Sequence, residues 1–340
     1  MYFKCILFDP PAERYAGDFP ATFIIRQRRE TAMKKYRLTE DSRLHDYQPG
    51  GENQQVRLWQ IEALRDFADV RAGQSGGWVE SEGNLSQTGD CWLEEDAKIW
   101  GGASVEDNAF VTGESEICQG ARISGNARIE HSQISGECHI FDHARLQNRC
   151  QIIAVLGLTE DPELRLQIYG HATLSASRVV HQAQIYGHAR IINAFIEHRA
   201  EVYDRAIIEG NEENNVWICD CAKVFGSARI VAGFGDSQIP TVRYSSQVYD
   251  NAVIEGDCVL KHRVRVFGDA TLTGGPIQLD DNVHIYGEAR LTGNVLIENN
   301  VQIYDRAVVE GCGDELIHIR GIKDINGEQL ITRSPFYGVF

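Results

Sequence analysis

The sequence predicts an all-β protein whose chain winds into a parallel β-solenoid, and three observations carry that expectation. Aliphatic residues follow one another at steps of six, from Leu93 through Ile99, Val105, Val111, Ile117 and Ile123 to Ile129. A seven-residue phrase (aliphatic, aromatic, Gly or Asp, any residue, Ala, any residue, aliphatic) occurs eight times in succession, starting at Ile168, Ile185, Val202, Val224, Val248, Val266, Ile285 and Ile303. The composition holds 32 glycines against 8 prolines, which suits many tight bends rather than linkers. A period of six fits neither a helix at 3.6 nor one long strand at 2, but it fits short strands with a turn after each. The spacing of the phrase is close to three sixes, so three edges close a triangular coil.

Each slot of the unit has a physical role. The aliphatic residue, and the small one four positions later (Ala97, Ala103, Ala109, Ser115, Ala121, Ala127), point inward, where a narrow prism admits one large and one small side chain per edge. Gly, Asn and Asp supply the unusual dihedrals of the corners. Cys138, Cys150 and Cys258 fall in the small inward slot, so these thiols are expected to be buried. The aromatic column (Trp100, Phe141, Tyr169, Tyr186, Tyr203, Phe225, Tyr249, Phe267, Tyr286, Tyr304) follows inward aliphatics and should face outward. It can stack as a ladder, form a subunit interface, or offer a sugar platform. Arg122, Arg128, Arg145, Arg190, Arg229 and Arg290 recur on the outside among acidic residues, as a solvated face with cross-coil ion pairs.

In chain order, residues 1–32 share nothing with the repeat and read as an extension, with a natural start at Met33. Residues 33–76, where KYRLTEDSRL and VRLWQIEAL flank YQPGGEN, read as a β-hairpin cap. Residues 77–311 form the solenoid, roughly a dozen coils and ~55 Å long at ~4.8 Å per coil. Residues 312–340 lose the period and are expected to form a cap or tail over the last coil. Three stretches interrupt the repeat, Ile153 to Gln167, Gly210 to Trp217 and Ala232 to Gln247, and must bulge from corners because the core has no spare volume.

Length alone, 340 residues, would suggest about two domains, but a solenoid grows by adding coils and needs no split. The formal net charge of -16 opposes binding to nucleic acid or to anionic membranes. No apolar run approaches the ~20 residues of a spanning helix, and a cytoplasmic protein is expected. Nine cysteines without a CxxC pair argue against disulfide scaffolds and zinc ribbons. The sequence also lacks GxxxxGK[ST], GxGxxG and HExxH.

The rule of Ile, Val or Leu followed four residues later by Ala, Ser or Cys resembles the hexapeptide-repeat transferases over residues 81–311. The segments GGWVESEGNLSQTGDCWL (76–93) and GIKDINGEQLITRSP (321–335) resemble an acetyltransferase branch of that family more closely still. The resemblance implies a single-stranded left-handed parallel β-helix and a coenzyme A-dependent acyltransferase, with acetyl-CoA as donor and an unknown small-molecule acceptor. It also implies a homo-oligomer, a trimer as in the family, with its site in a groove between subunits. Acyl transfer needs a base near neutral pH, and histidine suits that task. His143, His171 and His188 share one position of the phrase and should line a corner; His171 and His188 are the candidate catalytic residues. The third interruption offers Phe234, Arg243 and Tyr244 as candidate substrate contacts. β-Helix carbonic anhydrases bind zinc through histidines, but His139 and His143 flank a strand start and point differently, so no metal is expected. A second reading, from a different class, is a non-enzymatic scaffold presenting its aromatic face to a partner or glycan.

Overall fold

The computed structural model describes residues 34–48, 51–94 and 96–335. The extension expected at 1–32 and the last five residues of the 312–340 segment lie outside the described residues. Among those described, strands and turns account for the fold, with 3-10 turns at Glu82–Asn84 and Pro162–Leu164 and no α-helix.

The solenoid has three faces. The first is a twelve-stranded parallel sheet that runs from Ser104–Val105 through Arg122–Ile123, Cys138–Ile140 and Leu166–Ile168 to Lys323–Ile325. The second stacks Phe110–Thr112, Arg128–Glu130, Arg145–Gln147, Thr173–Ser175 and their successors. The third stacks Glu116–Cys118, Gln133–Ser135, Gln151–Ala154, Arg178–His181 and onward. Strands Val253–Lys261 and Thr271–Asp280 pass through the corner between second and third faces without a break.

The register places like on like: Ile123, Ile140, Ile168, Ile185 and Val202 pair in sequence down the first face, and each is fully buried. Burying such a side chain contributes about 1.5–3 kcal/mol, so the column is one of the terms that hold each coil on the next. The corner from first to second face needs a left-handed residue, and it is Asp142, Gly170, Gly187, Asp204, Gly226 and Asp250 in turn, with φ between 56° and 71°. Where Asp precedes Gly, its carboxylate accepts the N–H of that glycine one coil on, as Asp142 does from Gly170 and Asp204 from Gly226, both at 3.2 Å.

At the start, β1 (Tyr36–Tyr47) and β2 (Gln54–Ala63) form an antiparallel hairpin. β2 pairs antiparallel with β3 (Ser75–Val79), whose other edge pairs parallel with Lys98–Ile99, so β3 converts hairpin into coil. At the other end the solenoid continues past residue 311. Strands Ile317–Arg320, Lys323–Ile325 and Leu330–Ile331 pair parallel with the previous coil, so the described part of the expected tail is one further turn. The phrase is lost there because Asn326 stands where earlier coils carry a ring.

The ladder is real over nine rings, from Phe141 to Tyr304, with centroids 4.8–5.0 Å apart and planes within 8° of parallel. Trp100 is not part of it. Its strand, Lys98–Ile99, belongs to the third face, and the indole is buried beneath the hairpin, edge-on to His45 and Tyr47. Cys138, Cys150 and Cys258 lie in the core, and burial pushes the Cys138 thiol up to about 12.

Candidate functional site

The corner between the third and first faces also demands left-handed backbone, but the residues filling it are larger. His181, His198, Asp220, Tyr244 and His262 occupy successive coils with φ between 57° and 71°. Asp and Asn tolerate this region because their short side chains bond locally; a tyrosine there is uncommon and is held only by its surroundings. Tyr244 is held on two sides. Its backbone N–H donates to Asp220 Oδ2 at 3.1 Å, and its ring stacks on His262 with centroids 4.4 Å apart and planes 2° from parallel.

His262 in turn places Nδ1 in hydrogen-bond contact with Asp280 Oδ1 on the next coil. A carboxylate on Nδ1 fixes the tautomer and leaves Nε2 as the proton acceptor, the arrangement a general base requires. Beside it, Arg263 pairs with Asp281 at 2.9 Å, and Glu298 pairs with His318 Nε2 at 2.9 Å. Together Tyr244, Ser245, His262, Arg263, Asp280 and Glu298 line an open cleft of about 590 Å³, a size that suits a small substrate.

A second cleft of about 440 Å³ lies on the same corner, lined by Val155, Leu158, His181, His198, Arg199 and Cys221 among others. Asp220 connects the two. Its Oδ1 faces His198 Nδ1 at 3.6 Å, while Oδ2 faces Tyr244 N and, at 3.8 Å, Arg243 Nε. Burial, and then the Asp220 charge, push the neighbouring Cys219 thiol up to about 11. The first interruption forms one wall of this second cleft. It leaves the corner after Gln151–Ala154 and lies along later coils, where Gln182 donates to Leu164 O and Gln184 to Arg165 O.

The sequence-predicted residues are distributed over three corners. His171 stacks between His143 and His188 along the corner from first to second face, with centroids 4.7 and 4.9 Å away. His171 and His188 are both exposed, and among the described residues neither imidazole has a hydrogen-bond or ion-pair partner to orient it. Phe234, 86% exposed, is at the tip of the third interruption, on the corner from second to third face. That loop is clasped to the preceding one by Asn214, whose amide donates to Gly233 O and Gly235 O at 3.0 and 2.8 Å. Arg243 and Tyr244 stand apart from Phe234, on the third corner, where Arg243 also lies over the Trp217 and Tyr244 rings at 5.9 and 5.1 Å. Of the predicted set, therefore, Arg243 and Tyr244 come together, and His262 and Asp280 join them. Those two were missed because KHRVRV and LDDNVH carry no repeated phrase at this corner; the available signal was a His and an Asp eighteen residues apart.

Among the described residues no group of three metal-ligating side chains converges, and no helix is long and apolar enough to cross a membrane. A sequence profile for the YdcK β-solenoid repeat matches residues 121–137, 166–182 and 183–199. The chain is 51% identical over 325 residues to the protein named uncharacterized acetyltransferase YdcK of Escherichia coli strain K12, an alignment covering 90% of this chain and all of that one.

Proposed function

The chain belongs to the YdcK family of β-solenoid proteins, and on that premise we propose that it transfers an acetyl group from acetyl-CoA to a small acceptor in the Tyr244–His262 cleft. The observation that carries the assignment of the site is the His262–Asp280 contact, a base with its orienting carboxylate inside a cleft of substrate size. In this reading His262 Nε2 takes the proton of the acceptor as its nucleophile attacks the thioester carbonyl, the C–S bond breaks, and the thiol leaves with a proton. Tyr244 and Asp280 keep the imidazole in place, and Arg243 serves substrate or donor charge nearby. His171 and His188 are the competing base candidates, supported by their alignment on one ridge, although among the described residues neither imidazole has a partner to orient it.

The same reading includes a homo-oligomer, with a trimer expected, and a location in the cytoplasm. The scaffold alternative draws on the nine-ring ladder, but rings stacked at 4.8–5.0 Å cover each other's faces and leave only edges outward. Sugars bind ring faces, so the ladder supports coil stability better than glycan recognition.

Titration calorimetry of the full chain with acetyl-CoA and with CoA, together with thiol release in the presence of an amine and alcohol panel, tests the proposal. Donor binding, with turnover lost in His262→Gln and kept in the His171→Ala, His188→Ala double variant, supports it. Absence of binding at millimolar donor, or turnover that follows His171 and His188, overturns it.

A further inference from the structure

Outside the clefts, one pair of reactive side chains is buried and unused. Lys35, at the foot of β1, is fully buried, as is Cys91, which immediately precedes the coil strand Trp92–Leu93. Lys35 Nζ lies 3.1 Å from Cys91 Sγ, and it also donates to the carbonyl of Cys91 at 2.9 Å and to that of Gly89 at 3.3 Å. The surroundings fix both partners. Gln87 accepts the N–H of Lys35 at 2.8 Å, Tyr36 donates its hydroxyl to Leu85 O at 2.7 Å, and Cys91 Sγ points toward the carbonyls of Ser86 and Val105. An amine and a thiol held this close meet the geometric requirement for joining through one oxygen atom.

We propose that Lys35 and Cys91 form an oxidation-sensitive clasp, linked as Nζ–O–Sγ by hydrogen peroxide and reopened by thiol reductant. The step balances. One peroxide converts the thiol to a sulfenic acid and releases one water. A second then joins the sulfenic oxygen to Nζ, removing one hydrogen from the sulfenic acid and one from the amine and releasing two waters. Burial acts in the same direction: desolvation holds Lys35 below the usual lysine range, toward the neutral amine that can form the bond, although it also holds Cys91 up as a thiol. The consequence is topological. The covalent path between residues 35 and 91 otherwise runs through the whole hairpin and β3, so the link would staple the cap strand to the first coil much as a disulfide would.

The test uses the full chain treated with hydrogen peroxide, digested without reductant and read by mass spectrometry. The expected product is a pair of peptides containing Lys35 and Cys91 with a joint mass gain of about 14 Da, one oxygen gained and two hydrogens lost relative to the free thiol and amine. It should disappear on treatment with dithiothreitol and be absent from Lys35→Arg and from Cys91→Ser. Cys312, which is exposed, reports whether oxidant reached the protein. Cys312 oxidised while Cys91 stays free, or Cys91 recovered as sulfinic acid with Lys35 unlinked, would overturn the proposal, and the unsubstituted chain alone decides between these outcomes.

Discussion

Tyr244 lies flat against His262, ring over ring, on consecutive coils of one corner. Because Asp280 holds the Nδ1 edge of the same imidazole, the Nε2 edge is the one that the proposed general-base role would use. His262→Gln is expected to lower acetyl transfer by roughly 10²–10⁴-fold, the usual contribution of a general base. Tyr244→Leu should cost less, since it loosens the ring without removing it. Thiol release from acetyl-CoA measures both, and equal losses in the two variants would argue that His262 serves packing alone.

Removing one ring from the middle of the ladder breaks two stacked contacts. Phe225 stacks on Tyr203 and Tyr249 at 4.9 and 4.8 Å, whereas Tyr304 stacks on Tyr286 alone. Phe225→Ala should therefore cost about 1–3 kcal/mol, and Tyr304→Ala less. Urea midpoints at unchanged slope give the comparison. Equal losses would show that the ladder is ornamental.

Two glycines with similar backbone separate strain from collision. Gly187 has φ +71°, and an added Cβ would lie 2.9 Å from both backbone N and O of Asp204; Gly102 has φ +74° with nothing within 4 Å. Gly102→Ala should cost about 1 kcal/mol from the dihedral, and Gly187→Ala at least ~2 kcal/mol as coils are pushed apart. Chemical denaturation of both variants is the check.

Acid should weaken the fold through its half-buried histidines. Burial, followed by the charge of Arg122, holds His139 below its ordinary value near 6.5, and its Nε2 lies 2.8 Å from Ser124 Oγ. A group depressed in the folded state binds its proton more readily when unfolded, so its contribution is present above pH ~6.5 and is lost as pH falls through the lower folded value. His284, depressed by burial and by Arg265, adds in the same sense. Stability measured from pH 8 down to 5 should fall, and His139→Gln should flatten part of that slope. A slope unchanged by the substitution would assign the acid sensitivity elsewhere.

Most of the architecture is legible because a solenoid repeats its own instructions. Ile168, Ile185 and Val202 each state the inward slot anew, and Gly170, Gly187 and Asp204 each state the corner. What fails is whatever the phrase does not carry. The coil at Ile317–Ile325 has inward aliphatics but no ring, so it read as a tail. The partners of Tyr244, His262 and Asp280, were hidden for another reason. They occupy a corner with no common motif, and only coil pairing makes residues 262 and 280 neighbours. His171 and His188 stand out in the sequence through their repetition, and that repetition states a shared corner geometry.

Trp100 shows what the triangular cross-section means for inheritance of the fold. Its phrase, IWGGASV, is spelled like the others yet falls one face out of frame, and its ring is turned under the hairpin instead of joining the ladder. The prism thus behaves as a screw with a three-step thread. Gain or loss of one six-residue edge would leave the aliphatic core intact while rotating every downstream column onto a different side; gain or loss of a full turn would preserve them all. Core stability is blind to the first change, but a corner whose side chains must meet from coil to coil is not, so whole turns are the natural step by which such a protein can lengthen and keep its columns.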